Sequence, residues 1–191
     1  MEDCAIVLDE VAIITHPGAE SRRKEVEGIA EVLESHRKLF YIQSPGILDG
    51  GDVLVIEKNI WVGLSNRSNS NAVEQLKEIT SPFGYSVKGI KVTDCLHLKS
   101  AVTHIGGNSV LLNPNWIDAS IFDKFDIVET HPSESNASNA LVINDTVLFP
   151  KSYPKTAQIL IDKGYKIIQV DNTEVIKAEG ALTCCSIIFK S

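Results

Sequence analysis

The chain has 191 residues, of which 43% are hydrophobic and 23% charged, and its net charge is −7 at pH 7. This composition fits one soluble globular domain with a substantial core and excludes disordered, collagen-like and coiled-coil chains. The acidic surplus argues against nucleic acid as a partner, and no stretch predicts a signal peptide or a membrane-spanning helix.

The cysteine pattern indicates the compartment. Four cysteines occur, and their number and spacing match neither a disulfide framework nor the paired motif of a zinc ribbon. They are Cys4, Cys95, Cys184 and Cys185. We therefore expect a reducing, cytoplasmic location.

The first part of the chain predicts a strand hairpin, a helix and a strand. Alternating apolar residues indicate the hairpin at 5–8 and 11–15. Residues 20–39 predict an amphipathic helix because apolar side chains recur at helical spacing, and residues 40–43 predict a strand. The same order then returns, with predicted strands and helix at 52–56, 60–64, 72–80 (helix) and 85–92.

Two further copies follow. The third has predicted elements at 101–105, 109–113, 118–125 (helix) and 126–130. The fourth has predicted elements at 140–143, 146–149, a helix beginning at Pro154, and 166–170. Residues 184–189 predict a last strand that has no hairpin partner after it.

A ββαβ unit that repeats every 40 to 50 residues or so is typical of propellers. The predicted fold class is α/β: a propeller of about four such units around a pseudo-symmetry axis, plus an orphan C-terminal strand. We expect residues 1–191 to form one domain. The linkers between units should all reach the same face of the propeller.

Three of these linkers carry residues suited to catalysis. Asp49 precedes two glycines in the first, His97 lies in the second, and Cys184 and Cys185 begin the predicted last strand. Each alone is more often structural: a turn aspartate, a packed histidine, a buried thiol. Together, a thiolate, an imidazole and a carboxylate form the generalised nucleophilic triad. Only one of the two cysteines can face the axis, and the pattern leaves open which.

Several motifs cover nearly the whole chain. They are Glu2-Asp3, THPGAESRRKEV at 15–26, LDGGDVL at 48–54, VGLSNRSN at 62–69, LHLKS at 96–100 and EGALTCCSI at 179–187. In this order they resemble the dimethylarginine dimethylaminohydrolase family of the pentein superfamily. The resemblance implies hydrolysis of asymmetric dimethylarginine or monomethylarginine to citrulline plus dimethylamine or methylamine, without metal or cofactor.

The resemblance also implies roles for individual residues. Cys184 is expected to be the nucleophile, passing through a thiouronium intermediate, His97 the general acid and then base, and Asp49 their carboxylate partner. The remaining site residues are expected to bind the substrate. Glu2, Asp3 and Glu179 would lie at its guanidinium, and Arg22 and Arg67 at its α-carboxylate, which suits a planar guanidinium fork.

Family members carry a further segment before the position of Met1. In them, this segment completes the first blade of the propeller. We therefore expect the domain to be truncated at its N-terminus. A late start, a short form completed by another chain and an inactive remnant all fit this expectation. Open propeller edges favour pairing with a second chain, so a homo-oligomer is a candidate state.

Two other functions stay open at this point. One is an arginine deiminase-like or amidinotransferase-like enzyme, which uses the same residue types. The other is a truncated module that binds a methylarginine without turnover. Zinc held by Cys184, His97 and an acidic neighbour would inhibit rather than catalyse, so no native metal site is expected.

Overall fold

The computed structural model describes residues 1–190, which form two compact units. The first unit contains residues 1–91 and the C-terminal residues from 184, and the second contains residues 92–183. Within the described residues there are four three-stranded sheets, two in each unit. In every sheet an antiparallel hairpin is followed by a third strand that pairs in parallel with the hairpin's second strand.

The first unit contains two complete repeats. The elements of the first are β1 (Ala5–Val7), β2 (Val11–Ile14), α1 (Glu25–Glu34) and β3 (Lys38–Tyr41). The elements of the second are β4 (Val53–Ile56), β5 (Asn59–Leu64), α2 (Ser70–Thr80) and β6 (Ser86–Lys91).

Alternation along the strands explains how this unit packs. Ile6 and Ile13 pair across β1 and β2 and belong to the core shared with β4, β5 and α2. Ala12 and Ile14 on the same ribbon point to the opposite face and pack with Leu33 of α1. The first sheet is therefore buried on both faces, and all four residues of β2 are apolar and buried.

The second unit contains the other two repeats. The elements of its first repeat are α3 (Leu98–Ala101), β7 (Val102–His104), β8 (Ser109–Leu112) and β9 (Asp126–Glu129). Those of its second are β10 (Leu141–Ile143), β11 (Thr146–Pro150), α4 (Pro154–Asp162), β12 (Ile167–Val170) and α5 (Thr173–Lys177). Leu111, Phe149 and Leu160 lie at the centre of a core that the two repeats share.

The predicted α/β class with repeated ββαβ units is confirmed, with two changes to the helices. The first helix is shorter than residues 20–39 because the amides of His36 and Arg37 both donate to the carbonyl of Leu33 and end it. A helix over 118–125 is wrong. A 3-10 turn, Ala119–Phe122, stands there, and the Asp118 carboxylate caps it by accepting from the amide of Ser120 at 3.0 Å.

The predicted strand at 184–189 is also wrong. The segment begins in a 3-10 turn, Thr183–Cys185, and has no strand assignment through residue 190. A strand needs a ladder partner, and within the described residues none of the four three-stranded sheets includes this segment. Ile187 and Phe189 instead pack on the cluster that contains Leu33, and the Arg37 guanidinium lies 5.5 Å from the centre of the Phe189 ring.

Among residues 1–190, no helix combines the length and the apolar character needed to cross a lipid bilayer.

Packing rather than pairing should therefore hold the C-terminal segment. We expect Phe189→Ala to lower the free energy of unfolding by about 1–2 kcal/mol, because the ring is partly buried against the first repeat. Ile188→Ala is the matched control. Its side chain is 49% exposed, so the change should stay within about 0.5 kcal/mol. Urea unfolding measures both, and equal effects would contradict the packing.

Candidate active site

The first unit brings the expected acidic pair against the LDGGD segment. Glu2 and Asp3 lie in a buried 3-10 turn, Glu2–Cys4, and a second buried turn is formed by Gly50–Asp52. The amide of Gly51 donates to Asp3 Oδ1 at 2.8 Å. A Cβ on Gly50 would lie 2.1 Å from the carbonyl oxygen of Glu2, which no side chain could tolerate. The two turns therefore touch through a position that only glycine can occupy.

Asp49 is completely buried in the same unit. Its Oδ1 accepts from the amide of Gly18 at 2.9 Å, and its Oδ2 lies 3.8 Å from the Arg67 guanidinium. One carboxylate oxygen of Asp49 lies within 4.8 Å of one of Asp3. Two buried carboxylates this close form a site that favours a cation.

Arg22 already supplies such a cation. Its Nη1 donates to Asp3 Oδ2 at 2.7 Å, while Nε and Nη2 donate to the two oxygens of Glu25 at 3.0 and 2.7 Å. The hydrogen bonds to Glu25 and then to Asp3 raise the pKa of Arg22, and the hydrogen bond from Arg22 lowers the pKa of Glu25. The Asp3 carboxylate thus binds a guanidinium group, that of Arg22, and the outer edge of Arg22 binds the Glu25 carboxylate through two hydrogen bonds.

A hydrogen-bond network centred on Asp52 fixes the backbone at Asp49 and at Arg67. Asp52 Oδ2 accepts from the hydroxyls of Ser65 and Ser68, each at 2.7 Å. The Ser68 hydroxyl oxygen accepts from the amide of Asp49 at 3.1 Å, and the Ser65 hydroxyl oxygen accepts from the amide of Arg67 at 2.9 Å. Asp52 therefore orients the two serines that fix the backbone of both site residues.

The sequence predicts no role for Asp52, Ser65 or Ser68, although all three lie in the motifs at 48–54 and 62–69. The signal that could have found them is the pair of serines on either side of Arg67, since serine hydroxyls can both donate to a carboxylate and accept from an amide.

Cys184 belongs to the first unit and is partly buried, whereas Cys185 is exposed. Both lie in the 3-10 turn rather than on a strand, so the argument that neighbours face opposite sides of a sheet does not apply to them. Their unequal exposure is what distinguishes the two thiols.

His97 and Glu179 lie in the second unit. His97 is buried and occupies the extended residue before α3, where its carbonyl accepts from the amide of Ser100 at 3.0 Å and from the Cys95 thiol at 3.4 Å. Glu179 is exposed and follows α5, and its backbone has a left-handed conformation with φ of 56°. Its amide donates to the carbonyl of Ile176 at 2.9 Å, so its backbone ends that helix.

Comparison with known proteins identifies the family of the chain. The family model described as arginine deiminase matches residues 3–138. A protein of Pseudomonas aeruginosa named N(G),N(G)-dimethylarginine dimethylaminohydrolase is 32% identical over 99% of this chain, and one of the same name from Streptomyces coelicolor is 41% identical over 98%. The chain covers 75% of the first relative and 72% of the second. This chain belongs to the dimethylarginine dimethylaminohydrolase family.

Solved structures of the family show the same fold. The Pseudomonas aeruginosa enzyme, as a cysteine-to-serine mutant complexed with citrulline, matches 96% of this chain and 72% of its own, with a TM-score of 0.91 and 32% identity. A histidine-to-glycine variant of a dimethylarginine dimethylaminohydrolase, an adduct with S-methyl-L-thiocitrulline, matches 96% of this chain and 73% of its own with the same TM-score and identity. An arginine dihydrolase domain from cyanobacteria, 19% identical, shares the fold alone, with a TM-score of 0.84.

The contact at Gly50 gives a direct test of how the acidic pair is held. We expect Gly50→Ala to lower the free energy of unfolding by at least about 2 kcal/mol, because the methyl group would overlap the carbonyl of Glu2. Gly28→Ala is the control, since its methyl group would meet nothing within 4 Å on α1 and should stabilise the helix by about 0.5–1 kcal/mol. Urea unfolding of a Gly50→Ala chain as stable as the parent would contradict the contact.

Proposed function

We propose that this chain hydrolyses asymmetric dimethylarginine or monomethylarginine to citrulline plus dimethylamine or methylamine. The observation that carries the proposal is the buried carboxylate pair of Asp3 and Asp49, one of which already binds a guanidinium, in a chain of this family. The relatives carry that activity in their names, and one solved neighbour holds citrulline.

The chemistry explains why such a pair is needed. A guanidinium is a delocalised cation that stays protonated at any physiological pH and is a poor electrophile. Carboxylates fix its plane and balance its charge, while a thiolate supplies a strong nucleophile that needs no metal. The reaction as proposed therefore uses no cofactor.

In the first half of the proposed reaction, the Cys184 thiolate attacks the guanidinium carbon. His97 donates a proton to the methylated nitrogen as its bond to that carbon breaks, so that dimethylamine or methylamine leaves. The carbon stays on sulfur as a thiouronium cation. Asp49 balances the positive charge of the reacting groups during this step.

In the second half, water replaces the amine. His97, now neutral, takes one proton from the attacking water. The carbon–sulfur bond then breaks to give citrulline and the thiolate, and the second proton of the water is released to solvent, where the amine product takes up a proton. One water molecule is consumed for each substrate, and no electrons are transferred.

The remaining residues bind the substrate in this proposal. Glu2, Asp3 and Glu179 face its guanidinium. Arg22 and Arg67 bind its α-carboxylate, and for Arg22 that group would replace Glu25 on the edge formed by Nε and Nη2. That edge already holds one carboxylate through two hydrogen bonds, which is the geometry the substrate would need.

The proposed setting is that of a small-molecule enzyme in the cytoplasm. The acidic surplus of 25 Asp and Glu over 18 Lys and Arg fits neither a nucleic-acid nor a membrane-surface partner. A homo-oligomer is proposed because β1 is an edge strand of its sheet and can pair with a second chain.

Citrulline formation from asymmetric dimethylarginine tests the function. We expect the parent chain to form citrulline and both Cys184→Ser and His97→Ala to lose it by at least about 1,000-fold, because each removes a group that bonds to or protonates the reacting atoms. Cys185→Ser is the matched control for the neighbouring thiol and should keep activity.

Arginine is the second substrate in the same assay, because the family model that matches the chain is described as arginine deiminase. Citrulline from arginine in preference to dimethylarginine would replace the proposed substrate. A folded parent chain that forms no citrulline from either compound would overturn the proposed reaction, and equal loss in Cys185→Ser and Cys184→Ser would overturn the assignment of the nucleophile.

A further inference from the structure

A buried amide in the second unit connects two segments that matter for the proposed reaction. We infer that Asn139 is a positioning residue: it ties Thr183, the residue joined by a peptide bond to Cys184, to the first turn of α3, the helix that follows His97. This inference rests on the proposed function and adds a residue to it. The sequence alone gave no reason to regard Asn139 as more than part of a loop.

The side chain of Asn139 makes three hydrogen bonds. Its Nδ2 donates to Thr183 Oγ1 at 2.9 Å and to the carbonyl of Lys99 at 3.1 Å, and its Oδ1 accepts from the amide of Thr183 at 3.2 Å. These partners are 44 and 40 residues away along the chain. One amide thus fixes both the backbone and the side chain of Thr183, and its third bond, to Lys99, joins Asn139 to α3.

The loop that carries Asn139 is itself held on both sides. The hydroxyl of Thr103, on β7, donates to the carbonyl of Ser138 at 2.6 Å and accepts from the amide of Ala140 at 3.2 Å. Ser138, Asn139 and Ala140 are buried, as is Thr183. An amide on such a platform cannot swing away without leaving several buried polar groups unpaired, which is costly.

These hydrogen bonds hold the residue directly before the proposed nucleophile, Cys184. The turn Thr183–Cys185 has only three residues, so its orientation depends on what holds its first residue. Covalent catalysis needs the nucleophile in a near-attack position, and an error of about 1 Å costs roughly 100-fold in rate. Asn139 does not touch substrate in this account. It acts through Thr183 on the segment that delivers the thiol.

Steady-state kinetics of four variants test the inference. Asn139→Ala removes all three bonds, whereas Thr183→Val removes the Thr183 hydroxyl, and with it one of the three, with little change in shape. We expect kcat for dimethylarginine to fall by about 10- to 100-fold in Asn139→Ala and by less in Thr183→Val, while KM stays within about threefold because substrate contacts are intact. Thr183→Ser restores the hydroxyl and should recover most of the loss. Asn136→Ala, at an exposed asparagine in the same loop, should match the parent.

Alkylation gives a readout that does not depend on turnover. Iodoacetamide labelling followed by peptide mapping reports the rate at Cys184 as a function of pH. Cys4 is 2% exposed, so its protection shows that the first unit, to which Cys184 belongs, is still folded. We expect Asn139→Ala, and not Asn136→Ala, to change the rate and pH profile at Cys184 while Cys4 stays protected.

The outcomes separate the two proposals. A folded Asn139→Ala chain with unchanged kcat and unchanged Cys184 labelling would overturn the positioning role. If Asn139→Ala exposes Cys4, the comparison of Thr183→Val with Thr183→Ser decides, and equal behaviour of that pair would overturn it as well. If the parent forms no citrulline, the proposed function fails, and the labelling still decides the role of Asn139.

Discussion

Two negative charges buried close together in the first unit impose the constraint on which the rest of that unit depends. Asp3 and Asp49 have carboxylate oxygens within 4.8 Å of one another, and Asp49 has no exposed surface at all. Buried charges of the same sign are unfavourable unless hydrogen bonds and cations compensate them. The amides of Gly18 and Gly51 and the guanidinium groups of Arg22 and Arg67 supply that compensation. A cationic substrate would add to it, which is why the arrangement suits a guanidinium.

Steric constraints, as well as charge, determine which residues can stand around the two carboxylates. Gly18 and Gly50 allow backbones to approach closely, since a Cβ at Gly18 would come within 2.8 Å of Arg67 and one at Gly50 within 2.1 Å of Glu2. Asp52 is a third buried carboxylate, but two serine hydroxyls satisfy it, so it organises its neighbours instead of attracting a ligand. Asp49, with a proposed role in the reaction, and Asp52, which orients two serines, are thus three residues apart in one short motif and differ in their partners.

The sequence predicts the strands of this fold better than its helices and loops. The hairpins are predicted by the alternation of apolar side chains, since residues that point to the core of a sheet must be apolar. The start of α4 is predicted by Pro154, and the structure confirms it. The failures have a common cause. Residues 118–125 and 184–189 carry enough apolar residues to suggest regular elements, but their structure is set by local caps and by contacts with distant segments. The short helices α3 and α5 lie in linkers, where four or five residues carry no periodic signal.

The same limit applies to the site. Asp49, His97 and Cys184 are predicted as site residues because their residue types are chemically conspicuous and because a family resemblance implies roles for them. Asn139 and Ser68 could not be found in that way, since an asparagine or a serine in a loop is ordinary. Burial and the hydrogen bonds to Thr183 and Lys99, 44 and 40 residues away, distinguish Asn139 from the exposed Asn136. Long-range polar contacts of this kind cannot be deduced from one sequence.

The central claim is that Cys184 forms a covalent bond to the guanidinium carbon of a methylated arginine. The most direct measurement mixes the chain with asymmetric dimethylarginine, quenches with acid on the time scale of one turnover, and maps the modified peptides by mass spectrometry. We expect a thiouronium adduct on Cys184 in the peptide that contains this residue, with dimethylamine already lost. We expect no adduct in Cys184→Ser. Citrulline formation with an adduct on Cys185 instead, or with no cysteine adduct under any quench time, would contradict it.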